Sequence, residues 1–472
     1  MIHLYNSLSK KEEEFVPLNP PTITLYTCGP TVYDFPHIGH GRKYVNDDVL
    51  KRALTLFGFQ VKHVMNVTDV GHLVSDGDAG EDKLEKGAKR EGKTVWEVAK
   101  FYEKEFEVDL KKLNILPPEV VSRATEHIPD QIGLIKKLFE NDYAYDTPEA
   151  VYFDVTKFKD YGKLFGQSLD EKEVAVREDV KTGEHKKHPA DFALWFKRVG
   201  RFSDHQMHWD SPWGDGFPGW HIECSAMSMK YLGETIDIHT GGIDHLPIHH
   251  PNEIAQSEGA TGKQFVRFWV HHNHLMVDGT KMSKSLGNFY KIIDVENKGF
   301  EALDLRYLYL TTHYRKVLNF TWDGLTAART ARKNLVSAIR EIHNEGESKR
   351  TTLSKEKMGK VDEFQAKFIQ ALENDLNMPQ ALSVMWEAVK SNIPSEDKYD
   401  LVAGFDQVLG LDLTNTQPES VEIPEEIIKL VEKRNQLRAE KRWAEADSVR
   451  EKIEAQGYSV EDVVSGVLIK RK

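Results

Sequence analysis

The stretch from Thr22 to Phe59, TITLYTCGPTVYDFPHIGHGRKYVNDDVLKRALTLFGF, leaves few choices of fold. Ile23 to Tyr26 is a β-branched and apolar run that reads as a buried strand. Val45, Val49, Ala53 and Phe57 recur every fourth residue, as one face of a helix does. Val61 to Val67 then reads as a second strand, closed by Thr68-Asp69. Strand, helix, strand is one βαβ unit and predicts a parallel sheet. The turn between the first strand and the helix carries Cys28, Gly29 and Pro30, then His37-Ile38-Gly39-His40. A glycine-bearing turn from strand to helix presents backbone N–H groups to phosphate. Two imidazoles at the helix start can also donate to phosphate oxygens. Cys28, at the strand's end, is a candidate thiolate. Each feature taken alone also has a plain structural reading, since a lone Cys is usually a small buried hydrophobe.

Composition narrows the class. A chain of 472 residues suggests about three domains at roughly 100–200 residues each. With 40% hydrophobic and 29% charged residues it reads as globular. No apolar run nears the roughly 20 residues a membrane helix needs. The first fifteen residues lack an apolar secretion core, and two cysteines exclude a disulfide scaffold, so a reducing cytoplasm is expected. The net charge of −12 argues against a nucleic-acid protein. The deficit is uneven, however: 425–472 carries about +1 and the remainder about −13.

Further along, Gly71 to Lys93 reads as loop and helix, and Trp96 to Leu113 as helix. Pro117-Pro118 marks a break. Ile128 to Glu140 reads as helix, Tyr143 to Val155 as a hairpin and Lys181 to His188 as an exposed charged run. The parallel sheet is expected to resume at Phe192–Phe196; Ile236–His239 reads as a strand ending in two glycines, and Phe265–Val277 as a further strand. Asp278-Gly279 is a turn signal, which puts Lys281-Met282-Ser283-Lys284-Ser285 on a loop. Beyond Asp323, Leu325, Ala328, Ala331, Leu335, Ile339 and Ile342 recur at three and four, and later segments repeat the pattern, predicting a helix bundle. In the last unit Ile427 and Val431 share one helix face, and Trp443, Ala446, Val449 and Ile453 share another; a strand or hairpin follows from Tyr458 to Ile469.

Cys28 and Cys224 are the only cysteines, and no CxxC occurs. His249 and Glu253, at i and i+4, lie on one face if their segment is helical. Cys, Cys, His and Glu suit a tetrahedral zinc site, while separate structural roles remain the alternative from spacing alone.

HIGH at residues 37–40 and KMSKS at 281–285, in that order, resemble the paired signature of class I aminoacyl-tRNA synthetases. GPTVYD beside HIGH, GWHIECSAM, HHPNEIAQSE and the C-terminal KRWAEADSVREKIEAQGYSVED resemble the cysteinyl-tRNA synthetases, over the whole chain. The resemblance implies a Rossmann-like α/β catalytic domain (1–115 and 190–265) with a connective insertion (116–189). A KMSKS and stem-contact region (266–323), an α-helical bundle (324–412), a linker (413–424) and a small C-terminal α+β anticodon-binding unit (425–472) follow. It implies ligation of L-cysteine to tRNA(Cys) through a cysteinyl-adenylate made from ATP.

By the same resemblance His37, His40, Lys281 and Lys284 are catalytic. Gly39, Gly241, Gly242, Asp244 and Lys284 bind ATP, and Cys28, Thr68, Trp220, His221 and His239 bind cysteine. Cys28, Cys224, His249 and Glu253 hold one Zn2+, and Mg2+ comes with ATP. Arg438, Trp443, Asp447 and Asp462 meet tRNA. The plain readings are a simple turn for Gly241-Gly242 and core positions for Trp220 and Trp443. A monomer with no membrane partner is expected. One departure from the family stands at Pro251, where Glu is usual; a helix starting at Asn252 would leave His249 outside it. Two rivals remain: a cysteine:amino-sugar ligase of the mycothiol type, which lacks the anticodon unit, and a non-catalytic paralogue, which has no need of both signatures.

Overall fold

Five parallel strands lie in the order Val266–His272, Ile236–Gly242, Thr22–Thr27, Gln60–Val67 and Val120–Arg123. The computed structural model describes residues 1–71, 82–166, 185–346, 353–414, 424–463 and 466–471. The chain enters the sheet in the middle, winds one way to Val120–Arg123 and the other way to Val266–His272. The winding therefore reverses between Thr22–Thr27 and Ile236–Gly242. In open α/β sheets the crevice outside the carboxyl ends of the strands at such a switch point is where ligands bind.

Both faces of the sheet are covered. Leu25 enters one apolar cluster and Tyr26 the other; Phe268 and Val270 join the first and Trp269 the second. This is the two-residue period of strands buried on both sides. The first face packs the helix Ile38–Leu56, through Val45, Val49 and Ala53, and the bundle helices Trp322–Gly346, Lys355–Glu373, Met378–Lys390 and Ser395–Leu409 in one continuous core. The second face packs Ile128–Glu140, Trp220–Leu232 and His249–Thr261. Each fully buried Leu or Ile in these layers contributes roughly 1.5–3 kcal/mol. A buried guanidinium also ties the layers: Arg306 donates to Asp48 Oδ2 on the helix Ile38–Leu56 (2.5 Å) and to Leu409 O of the bundle (2.7 Å).

Several sequence expectations need correction. Phe192–Lys197 does not resume the parallel sheet; it is an inner strand of a separate antiparallel sheet, Ala144–Asp146, Ala150–Phe153, Phe192–Lys197, Gly216–Pro218. It is buried along nearly its whole length, and an unbroken apolar run reads alike in either setting. Val120–Arg123, beyond the Pro117-Pro118 break, pairs with Gln60–Val67 and so belongs to the main sheet. Phe265–Val277 holds two strands, because the chain leaves the main sheet after His272; Leu275–Val277 pairs instead with Thr280–Lys281 and Leu318–Phe320. The helix His249–Thr261 begins at His249 despite Pro251, since first-turn N–H groups have no partner within the helix for proline to remove.

The chain divides into two compact units, Met1–Thr414 and Asn415–Lys472. In the second, the helices Glu425–Ala439 and Trp443–Ala455 enclose Ile427, Val431, Leu437, Ala446, Val449 and Ile453, and Tyr458–Val463 pairs with Gly466–Arg471. Trp443 is not part of that core. It opens its helix 55% exposed. Leu413, at the start of the expected linker, is buried; residues 415–423 of that linker, and 72–81 and 181–184 of the segments read as loop or exposed, lie outside the described residues. Among the described residues no helix is long and apolar enough to cross a membrane.

Candidate active site

The carboxyl edge of the sheet is where the signature residues gather. His37 caps the helix Ile38–Leu56: its Nδ1 accepts from the backbone N–H of Gly39 (3.1 Å) and His40 (3.2 Å), and His40 Nδ1 accepts from His37 N (3.2 Å). Two imidazoles thus form a reciprocal capping box. With both Nδ1 atoms accepting, each ring carries its proton on Nε2 and offers it as a donor. The rings stack at 3.7 Å. Burial drives the His37 imidazole down to about 4, so this donor is neutral. A side chain at Gly39 would meet the His37 ring at 2.9 Å, which explains glycine there.

The second signature docks on this turn. Asp278 and Gly279 both have positive φ (47° and 74°), as a tight two-residue hairpin demands. Lys281 ends the short exposed strand Thr280–Lys281, and Lys284 opens the turn Lys284–Leu286. The Lys284 ammonium pairs with Asp34 and lies 5.1 Å from the Phe289 ring, which meets the His37 ring edge-on at 5.2 Å. Ile38 N donates to Tyr290 O at 2.9 Å.

The four expected donors converge. Cys28 follows the central strand, Cys224 sits on Trp220–Leu232, and His249 and Glu253 are one turn apart on His249–Thr261. All four are buried, with ligand atoms within 4.8 Å of one another. Glu253 Oε1 lies 3.0 Å from His249 Nε2 yet has no hydrogen-bond partner. Burial pushes the Cys28 thiol up; the neighbouring Cys28 sulfur and burial push Cys224 higher still. Two adjacent buried sulfurs ionise together only beside a cation, so the donor set fits a metal. A second, overlapping set replaces Cys224 and His249 by His239 and His250. Both ring nitrogens of His250 are engaged there, Nε2 at 3.5 Å from Cys28 Sγ and Nδ1 at 2.8 Å from His271 Nε2.

His221 and His239 touch the donors directly: His221 Nδ1 lies 2.9 Å from His249 Nδ1, and His239 Nε2 lies 2.9 Å from Glu253 Oε2. Burial disfavours charge on Glu253, but His239 and His249 hold its carboxyl down at about 2. The half-buried Trp220 ring covers His249 at 4.4 Å, so it is not a plain core residue. Thr68 Oγ1 donates to Glu223 Oε2 at 2.8 Å. At Gly241 a Cβ would stand 2.5 Å from the His250 ring and 2.8 Å from His245 Nδ1, so glycine is required by two imidazoles. Asp244 is exposed. In the separate C-terminal unit the Arg438 guanidinium lies 5.4 Å over the Trp443 ring and Asp447 is exposed; Asp462 lies in the strand Tyr458–Val463.

Sequence reasoning missed His245, His250, His271, Glu223 and the role of Asp34. The register of the sheet sets Gly241 beside His271, so the imidazole layer had a signal in the Gly-Gly and His-His pairs of adjacent strands. Glu223 had only its place beside Cys224.

Residues 14–330 match the family described as tRNA synthetases class I (C) catalytic domain, so the fold and the paired signature define a class I aminoacyl-tRNA synthetase. The cysteine–tRNA ligase of Treponema denticola is 44% identical over 483 residues, covering 98% of both chains. Cysteine–tRNA ligase 1 of Burkholderia lata is 44% identical over 469 residues, covering 98% of this chain and 95% of its own. The chain belongs to the cysteine–tRNA ligase family. These relatives span the C-terminal unit as well, so the amino-sugar ligase reading is not favoured. A Mycobacterium tuberculosis methionyl-tRNA synthetase solved in complex with methionyl-adenylate has a TM-score of 0.57 at 14% identity, covering 83% of this chain and 90% of its own; it shares the fold.

Proposed function

We propose that this chain joins L-cysteine to tRNA(Cys) in two steps, making cysteinyl-adenylate and pyrophosphate from ATP and then passing cysteine to the tRNA 3′ end. One observation carries the reading: a single turn starts with a donor of the buried cluster, Cys28, and ends in the paired imidazoles of His37 and His40. Amino-acid selection and phosphate handling therefore adjoin.

Cysteine and serine have nearly one shape, and a pocket that only fits separates such analogues by about one to two orders of magnitude. A Zn2+ held by Cys28, Cys224, His249 and Glu253 would supply a soft contact that a thiolate satisfies and a hydroxyl does not. His221 and His239 orient two of those donors, Trp220 walls the pocket, and Thr68 fixes Glu223 beside Cys224. Activation then needs alignment and charge stabilisation more than covalent help. His37 and His40 donate Nε2–H to phosphate oxygens. Lys281 and Lys284 act on the β- and γ-phosphates, with Mg2+ accompanying ATP. Gly39 lets the His37 cap close, Gly241 and Gly242 leave room for adenosine, and Asp244 takes ribose hydroxyls. The C-terminal unit reads the anticodon, with Arg438 and Trp443 as a stacking platform and Asp447 and Asp462 as acceptors. The protein acts as a cytoplasmic monomer.

ATP–pyrophosphate exchange with each amino acid, followed by aminoacylation of total tRNA, tests this. Exchange with cysteine alone and charging of one acceptor tRNA is expected. Exchange with another amino acid, or cysteine activation without tRNA charging, contradicts it.

A further inference from the structure

Asp34 lies in the turn between the first sheet strand and the HIGH residues. Its Oδ1 accepts from Phe35 N at 2.8 Å, and its Oδ2 takes the Lys284 ammonium, with Arg90 Nη1 at 3.5 Å. Phe35 is fixed edge-on between Phe101 (6.0 Å) and Tyr102 (5.0 Å). The carboxylate is accordingly held by the fold, its side chain 13% exposed, whereas the Lys284 side chain is 59% exposed on a flexible stem. One partner is set by the fold and the other reaches it from the surface on a long side chain.

We propose that Asp34 is a positioning residue that holds Lys284 on the signature turn and yields it to the triphosphate when ATP binds. The inference rests on the reading of Lys284 as a phosphate-binding lysine. A single carboxylate keeps an exposed ammonium near the nucleotide site, beside the contacts that Phe289 and Tyr290 make with the HIGH turn. ATP brings several negative charges to the same ammonium and outcompetes one carboxylate. The contact nonetheless opposes ATP binding by whatever the pair is worth. A pair whose ammonium is exposed in this way corresponds to about a fivefold factor.

The test is steady-state pyrophosphate exchange on full-length protein bearing Asp34→Asn, alone and with Lys284→Ala. Asn can keep the acceptor for Phe35 N and removes the charge that faces Lys284 and Arg90. In the single variant the ATP KM should fall about two- to fivefold while the cysteine KM stays put. In the Lys284→Ala background the same substitution should leave the ATP KM unmoved, which a merely structural role would not produce. An ATP KM that rises or stays level in the single variant overturns the proposal, as does an equal fall in both backgrounds. If Lys284→Ala itself leaves the exchange rate unchanged, the phosphate reading of Lys284 fails and takes the proposal with it. If Lys284→Ala slows exchange and only the Asp34 result is contrary, the proposal alone falls.

Discussion

The donor cluster and the tip of the C-terminal unit are built in opposite ways. Cys28, Cys224, His249 and Glu253 are buried, with His221 and His239 bracing His249 and Glu253 from behind. Arg438, in the last turn of Glu425–Ala439, and Trp443, at the start of Trp443–Ala455, meet guanidinium to ring at 5.4 Å, with Trp443 more exposed than buried. Water cannot replace a lost partner in the first region and readily does so in the second. In the proposed function, a ligand that must be told from a near-isostere by one atom meets the desolvated site, and a large ligand bound through many weak contacts meets the exposed one.

Lys284→Ala breaks any simple rule that exposure means small effects. The lysine is exposed, but in the proposed mechanism the charge it meets builds in the transition state, so its loss should slow adenylate formation by about 10²- to 10³-fold with little change in cysteine KM. An unchanged exchange rate refutes it. His239→Asn sharpens the comparison from the buried side. Removing the group that holds Glu253 Oε2 should weaken zinc affinity about 10- to 100-fold, read by competition with a chelator. Equal affinity in both proteins would mean that His239 braces nothing.

On the exposed side, Trp443→Ala should raise the tRNA KM about fivefold, the lower end of base-stacking energies, and leave exchange alone. Deleting Glu425 to Lys472 should raise it further, in a salt-dependent manner, with exchange activity and circular dichroism retained for the remaining chain. A folded, exchange-active truncation that charges tRNA as well as the full chain removes the anticodon role.

A separate test of the HIGH turn concerns pH. Burial holds the folded His37 pKa at about 4, below the 6.5 of an unfolded chain. The unfolded chain takes up the proton first, so stability should fall as pH drops from about 6.5 to 4 and level off below. His37→Asn keeps a capping acceptor and should flatten that slope in urea titrations. A His37 ring signal titrating near 6.5 by NMR contradicts the assignment.

The strand, turn and helix around Cys28 to Phe57 were legible because local spacing determines them. Residue types and the i,i+4 spacing of His249 and Glu253 made the four donors a possible set, but only the resemblance chose it over separate structural roles: nearly two hundred residues separate Cys28 from Cys224, and only the sheet's winding brings them together. Phe192–Lys197 misled because strands covered on both faces look alike in parallel and antiparallel sheets. Trp443 fits the helical spacing of Ala446, Val449 and Ile453, yet it lies at the helix start, outside the core. The Lys284–Asp34 pair spans 250 positions and had no sequence signal at all.

Zinc content tests the central claim most directly. Protein dialysed against a weak chelator should retain about one zinc per chain by its set of four donors, and Cys224→Ser, folded by circular dichroism, should retain far less. A Cys224→Ser protein with full zinc occupancy would contradict the assignment of the cluster as the cysteine-selecting metal site.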